Sequence, residues 1–202
     1  LLSLSLNEGK QGLGQIEGDI SREDSFAQVA QKVLASNIDA LRETHSLLKR
    51  ENFEKVIECF RRAKRICFYG DKFLKIEPKV YCVPDSHMQA MMASTMTKGE
   101  TAVVFSYSGA TKDTIHVAEL AKKAGADIVC ITRFIKSPLT AYGDMVLLCG
   151  ANESPLQAGS SSAEISQLFL IDLLYTEYYR RYYDTCSINN EKTSASVMEK
   201  LC

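Results

Sequence analysis

The sequence predicts an α/β fold: a parallel five-stranded sheet flanked by helices on both faces. Three observations predict it. Short apolar, β-branched runs recur as RICFY (65–69), KVYCV (79–83), TAVVFS (101–106), DIVCIT (127–132) and DMVLLC (144–149). Helical segments at about 86–97, 112–124 and 161–182 lie between or after them. The runs are continuously apolar rather than alternating, so each strand is buried on both sides, as in a parallel sheet with helical crossovers.

Taken in order, residues 1–24 are Gly- and polar-rich after the first six and read as a linker or extended entry segment. Asp24 or Ser25 caps a helix of about six turns, in which Phe26, Val29, Ala30, Val33, Leu34, Ile38 and Leu41 form one apolar stripe. A second helix starts near Asn52, turns Phe53, Val56, Ile57 and Phe60 inward, and ends in Arg61, Arg62, Lys64 and Arg65. Cations at that end favour the helix dipole, a simpler account of the basic cluster than a nucleic-acid patch. Ala124-Gly125-Ala126 closes a later helix with a glycine cap. The domain proper spans 25–185, and 186–202 form a C-terminal tail.

One connection is too short. Only DKFLKIEP separates Gly70 from Lys79, whereas a parallel crossover needs at least about 10–12 residues. Either the two strands are antiparallel, or a stretch is missing after Gly70. The second reading is preferred, because DKFLKI looks like the tail of a helix without its beginning. Gly70 and Asp71 are then expected to stand several times farther apart than the roughly 3.8 Å of joined residues.

Composition removes several function classes. The 202 residues suffice for one domain with a modest extension, and 24 Lys+Arg against 25 Asp+Glu leave a net charge of −1. That balance argues against a whole-surface nucleic-acid binder, though not against a sensing domain whose DNA-binding half lies elsewhere. No apolar run reaches the roughly 18–20 residues of a membrane span. LLSLSLNEGK has no basic n-region, so no secretory signal is expected. The seven cysteines include no C-x-x-C pair, and His45, His87 and His116 stand apart, so neither a structural metal nor a cofactor is expected. Cys67, Cys82 and Cys130 fall in apolar runs and read as small hydrophobes in a reducing, cytoplasmic protein.

The chemistry concentrates in Ser106-Tyr107-Ser108-Gly109-Ala110-Thr111-Lys112-Asp113, between a buried strand and a helix start. In open α/β sheets ligands bind at the carboxyl ends of the strands. There the unpaired N–H groups and dipole of a helix N-terminus favour an anion. Ser106, Ser108 and Thr111 add hydroxyls, and Gly109 allows close approach or a positive φ. Phosphate is the natural guest, while simple capping by Ser108 and Thr111 explains the same residues equally well on spacing alone.

This run resembles the S-x-S-G-x-T-x-[DE] phosphate loop of SIS (sugar isomerase) domains. Asp85-Ser86-His87-Met88-Gln89, Lys98-Gly99-Glu100, Ala121–Ala126, Ile131-Thr132 with Ser137-Pro138-Leu139, and Ile165-Ser166-Gln167-Leu168 with Leu170–Leu174 are similar to the RpiR family of bacterial transcription regulators. The resemblance covers about residues 24–182. It implies a SIS-type, flavodoxin-like three-layer sandwich that binds a sugar phosphate through Ser106, Tyr107, Ser108, Gly109 and Thr111. It also implies DNA binding only through an N-terminal helix-turn-helix domain, for which residues 1–24 supply no helices. The Gly/Ser loop that SIS domains carry after their first strand stops here at Tyr69-Gly70.

Isomerisation of an aldose to a ketose needs a base near the sugar C1–C2 protons. Glu153, Glu164, His87 and His116 are the available groups. Glu153 follows the last strand at the ligand end and suits sugar-hydroxyl binding better than catalysis. Glu164 suits the dipole of the last helix, His87 local packing, and His116 a helix surface. Where SIS isomerases of one kind carry H-G-[DE], this chain reads Gln89-Ala90-Met91-Met92-Ala93. The expectation is therefore a phosphosugar-responsive effector domain with no catalytic residue. An isomerase and a non-binding oligomerisation module are the alternatives. The apolar faces of the first and last long helices predict a homodimer or tetramer.

Overall fold

The structure is a computed structural model that describes residues 15–17, 20–67, 72–150 and 161–198. Near its start, β1 (Gln15–Glu17) and β2 (Ile20–Ser21) pair antiparallel within the stretch expected as an extended linker. Helix α1 (Phe26–Ser46) begins in a capping box, where Ser25 Oγ accepts from the Gln28 N–H and Gln28 Oε1 accepts from the Ser25 N–H at 2.9 Å. Helix α2 (Arg50–Arg62) follows and leads into β3 (Ile66–Cys67). A 3-10 turn (Lys72–Lys75), β4 (Val80–Tyr81), α3 (Ser86–Ser94) and β5 (Thr101–Phe105) come next. The order ends with α4 (Lys112–Lys123), β6 (Asp127–Thr132), β7 (Met145–Leu148), α5 (Ser161–Arg181) and α6 (Tyr183–Met198).

The five main strands form one parallel sheet in the order β4-β3-β5-β6-β7. Its two faces bury alternate residues of the same strands. Val103, Val129 and Ile131 meet Phe53, Val56, Ile57 and Phe60 of α2 and Leu170, Leu174 and Tyr178 of α5. Ala102, Val104, Ile128 and Cys130 meet Ala93 of α3 and Ala118 and Ala121 of α4. Burial on both sides explains why these strands read as unbroken apolar runs.

The β3–β4 link corrects one of the two sequence readings. Ile66 pairs with Val80 and Cys67 with Tyr81 in parallel, so the strands are not antiparallel neighbours. Strand β4 is shorter than its apolar run suggests, and the 3-10 turn Lys72–Lys75 lies on the way into it. The Gly70–Asp71 junction lies outside the described residues.

Two helix ends follow the sequence closely. Gly125 has φ +89°, its N–H donates to the Lys122 carbonyl, and the Ala126 N–H donates to the Ala121 carbonyl at 3.1 Å. That pair of bonds is a Schellman cap. At the end of α2, Arg65 pairs with Glu100 at 2.8 Å and Arg61 lies over the Tyr182 ring, so two of the four basic residues hold the fold together.

Two expectations change. Residues 186–198 of the expected tail are helical, as part of α6. The buried Cys186 docks that helix, while Asn189 Nδ2 and Thr193 Oγ1 donate to the carbonyls of Ile76 (3.0 Å) and Lys75 (3.1 Å). Cys82 sits beyond β4 and is exposed, unlike Cys130, which is fully buried.

Candidate functional site

Strand β5 ends at Phe105 and α4 begins at Lys112, and the six residues between them turn at the carboxyl edge of the sheet. Ser106 is buried and its N–H still donates to the Ile131 carbonyl of the neighbouring strand. The Gly109 N–H donates back to the Ser106 carbonyl at 3.1 Å, which closes the turn. Gly109 has φ +63°, and a Cβ there would stand 2.2 Å from Ser137 Oγ. Only glycine meets both conditions.

Thr111 occupies the cap position of α4, yet its side chain makes no capping bond. Its hydroxyl meets that of Ser106 at 2.9 Å. Ser108 is exposed, and its Oγ accepts from the Ala110 N–H at 3.2 Å. The first turn of α4 therefore starts without a capping bond from Thr111, beside three hydroxyls. Such an arrangement suits a phosphate or another compact oxyanion.

Tyr107 takes a different part from the serines. Its ring is half-buried against Ala40 of α1 and Ala163 of α5, and meets the Phe134 ring at 6.5 Å. Its carbonyl accepts from the Arg133 N–H (3.0 Å) and from Thr132 Oγ1 (3.2 Å). The Tyr107 backbone is thus tied to the end of β6, while its side chain faces the helices. Beside the loop, Phe105, Glu164, Gln167, Leu168 and Ile171 line an open groove of about 480 Å³.

Of the sequence-derived residues, Ser106, Tyr107, Ser108, Gly109 and Thr111 come together in this turn. Glu153 lies outside the described residues. His87 is exposed in the first turn of α3, His116 is exposed on α4, and Glu164 is exposed in the first turn of α5. Behind the loop, burial pushes the Cys130 thiol up to about 12, which keeps it protonated and inert. No group of three or more His, Cys, Asp or Glu able to hold a metal occurs among the described residues.

Sequence reasoning missed Arg133, Glu43, Thr44 and Gly150, which surround the loop from β6, α1 and the end of β7. Their pairings join positions far apart in the chain, up to 106 residues for Thr44 and Gly150. No local motif announces them.

The parallel three-layer sandwich with a hydroxyl-lined turn at its carboxyl edge agrees with a SIS domain, and residues 68–177 match that family, to which the chain belongs. Its relatives place it with the RpiR-type transcription regulators. It is 31% identical over 192 residues to an uncharacterised HTH-type transcriptional regulator of Caldanaerobacter subterraneus, covering 89% of this chain and 68% of that one. It is 29% identical over 194 residues to the HTH-type transcriptional regulator RpiR of Escherichia coli K12, covering 90% and 66%. Among solved structures, NanR of Vibrio vulnificus complexed with ManNAc-6P superposes with a TM-score of 0.81 at 23% identity, covering 99% of this chain and 74% of that one. The chain therefore spans about two thirds of the length of these curated relatives. No helix among the described residues is long and apolar enough to cross a membrane.

Proposed function

We propose that the chain is the effector domain of a transcription regulator and binds a sugar phosphate at the Ser106–Thr111 turn. The observation that carries this reading is the uncapped start of α4: the Thr111 hydroxyl turns to Ser106 and leaves the first-turn N–H groups for a ligand oxyanion. In this reading the phosphate takes bonds from the hydroxyls of Ser106, Ser108 and Thr111, while Tyr107 and Gly109 shape the turn that holds it. The sugar extends along the groove beside Phe105, and Glu153 receives its hydroxyls. Support comes from relatives named as HTH-type regulators and from the structural likeness to a NanR complexed with ManNAc-6P.

The domain binds without turnover in this account, acts in the cytoplasm, and reaches DNA only through a helix-turn-helix domain preceding it in the full regulator. It assembles as a homodimer or tetramer through α1 and the last long helix. Occupancy alters the DNA-binding half only if the ligand prefers one arrangement of the assembly.

Titration of the protein with a panel of hexose, pentose and N-acetylhexosamine phosphates, following melting temperature and product together, tests the proposal. A rise in melting temperature without product is expected, since a ligand stabilises the fold it binds whether or not it reacts. Product formation would establish an isomerase, and no shift with any sugar phosphate would leave a module for assembly alone.

A further inference from the structure

Residues 40–44 of helix α1 meet the ligand end of the sheet, and three sheet-edge segments converge on them. From the turn after β5, the Tyr107 ring packs on Ala40. From the end of β6, Arg133 pairs with Glu43 at 2.6 Å, both side chains being about three-quarters covered. From the end of β7, the Gly150 N–H donates to Thr44 Oγ1 at 2.9 Å, and the Thr44 hydroxyl donates to the Ala40 carbonyl at 2.7 Å.

These contacts leave little slack. A Cβ on Gly150 would stand 2.6 Å from Glu43 Cγ, so the stem of Glu43 lies directly on that backbone. Thr44 is fully buried. The hydroxyl of Ser166 on α5 reaches the Ser162 carbonyl at 2.8 Å and also the Gly150 carbonyl. Arg133 is itself bound to the loop, because its N–H donates to the Tyr107 carbonyl.

We propose that Glu43 and Thr44 are positioning residues of the loop site, acting through Arg133, Tyr107 and Gly150, and that α1 thereby registers whether the Ser106–Thr111 turn is occupied. The identity of the occupant rests on the phosphosugar reading above; the positioning role rests on the contacts alone. A ligand gripping the loop backbone displaces or clamps Tyr107. Its carbonyl is tied to Arg133 and its ring abuts Ala40, so both routes end on the same turn of α1. Packed contacts of this kind change between discrete arrangements rather than deform smoothly. The coupling is reciprocal, so changes in α1 must alter the loop as much as the loop alters α1.

The test has two arms on the full chain, using Glu43→Gln, Thr44→Val and the conservative Glu43→Asp. In the first, hydrogen exchange is measured without ligand. Glu43→Gln and Thr44→Val are expected to speed exchange several-fold at residues 107–114 and 133–134, leave α6 unchanged, and be partly reversed in Glu43→Asp. In the second, calorimetry with N-acetylmannosamine 6-phosphate and inorganic phosphate is expected to show Glu43→Gln weakening binding by about fivefold or more, in the usual range of couplings between sites. Unchanged exchange in the loop, exchange raised evenly over the whole protein, or wild-type affinity in Glu43→Gln overturns the proposal. If the wild-type protein binds neither probe nor any other sugar phosphate, the phosphosugar reading fails, and the exchange arm alone decides the positioning role.

Discussion

The hydroxyls of Ser106 and Thr111 face each other at 2.9 Å across the turn, joining the end of β5 to the start of α4. Thr111 therefore occupies a cap position without capping the helix. A capping side chain would satisfy the helix N–H groups permanently, whereas this arrangement lets an incoming anion satisfy them and complement the helix dipole.

The turn itself depends on Gly109. Gly109→Ala places a Cβ into Ser137 at positive φ, costing about 2 kcal/mol or more. For a domain of this size that lowers Tm by roughly 4–8 °C. Circular dichroism melting checks it. Replacing Ser137 by Ala as well should recover only part of the loss, because the backbone strain remains.

Tyr178, buried between α5 and the crossover, donates its hydroxyl to Glu77. Tyr178→Phe leaves packing intact and removes a bond to a charged group, worth about 1.5–3 kcal/mol, measurable by urea unfolding. Burial first, and then the Glu77 bond, hold the phenol above the ordinary tyrosine value of 10.0. The folded state thus keeps a proton that the unfolded chain releases. This contribution is complete below pH 10 and is lost as the pH rises towards the raised value. The wild type should lose stability above pH 10 more steeply than Tyr178→Phe.

Thiol chemistry separates the cysteines. Cys59, Cys130, Cys149 and Cys186 are buried and Cys82 is exposed. Titration with a disulfide reagent at neutral pH, followed by peptide mapping, should find Cys82 modified in the native protein and those four only after unfolding.

The apolar stripe of α1 is read correctly as a helix face, yet much of it points outward. Phe26 is 89% exposed and Leu34 60%, with Val33 and Ile38 beside them. A second copy covering this stripe is the reading that motivates the proposed dimer. Light scattering at micromolar concentration should give a dimer or tetramer for the wild type and a smaller species for Leu34→Glu. A monomeric wild type contradicts the proposed assembly.

Much of this architecture is legible in the residues because it follows from local physics. Runs such as Val103-Val104 and Ile128–Ile131 are short, β-branched and buried on both faces, which reads as inner strands of a covered sheet. Ser25 and Gly125 mark helix ends through bonds within a few residues. The helix at 183–198 was not legible. Its sequence, YDTCSINNEKTSASVM, has no apolar stripe, and it docks through Cys186 and the polar anchors Asn189 and Thr193. The grouping of hydroxyls in the Ser106–Thr111 turn at the carboxyl edge of the sheet was legible, but not the direction of the Tyr107 ring. The Glu43–Arg133 and Thr44–Gly150 contacts were hidden too, since each depends on how distant segments pack.

The most direct test of the account is a calorimetric titration of the wild type and of Ser108→Ala/Thr111→Ala with the sugar phosphate that most raises the melting temperature. Thr111 and Ser108 are exposed, so the double variant should still fold, with the lost Ser106–Thr111 bond lowering Tm by a few degrees. Each charge-assisted hydrogen bond lost to the phosphate is worth about 1.5–3 kcal/mol, so affinity should fall by roughly two orders of magnitude or more. Equal affinity in the two proteins would contradict the placement of the phosphate in this turn.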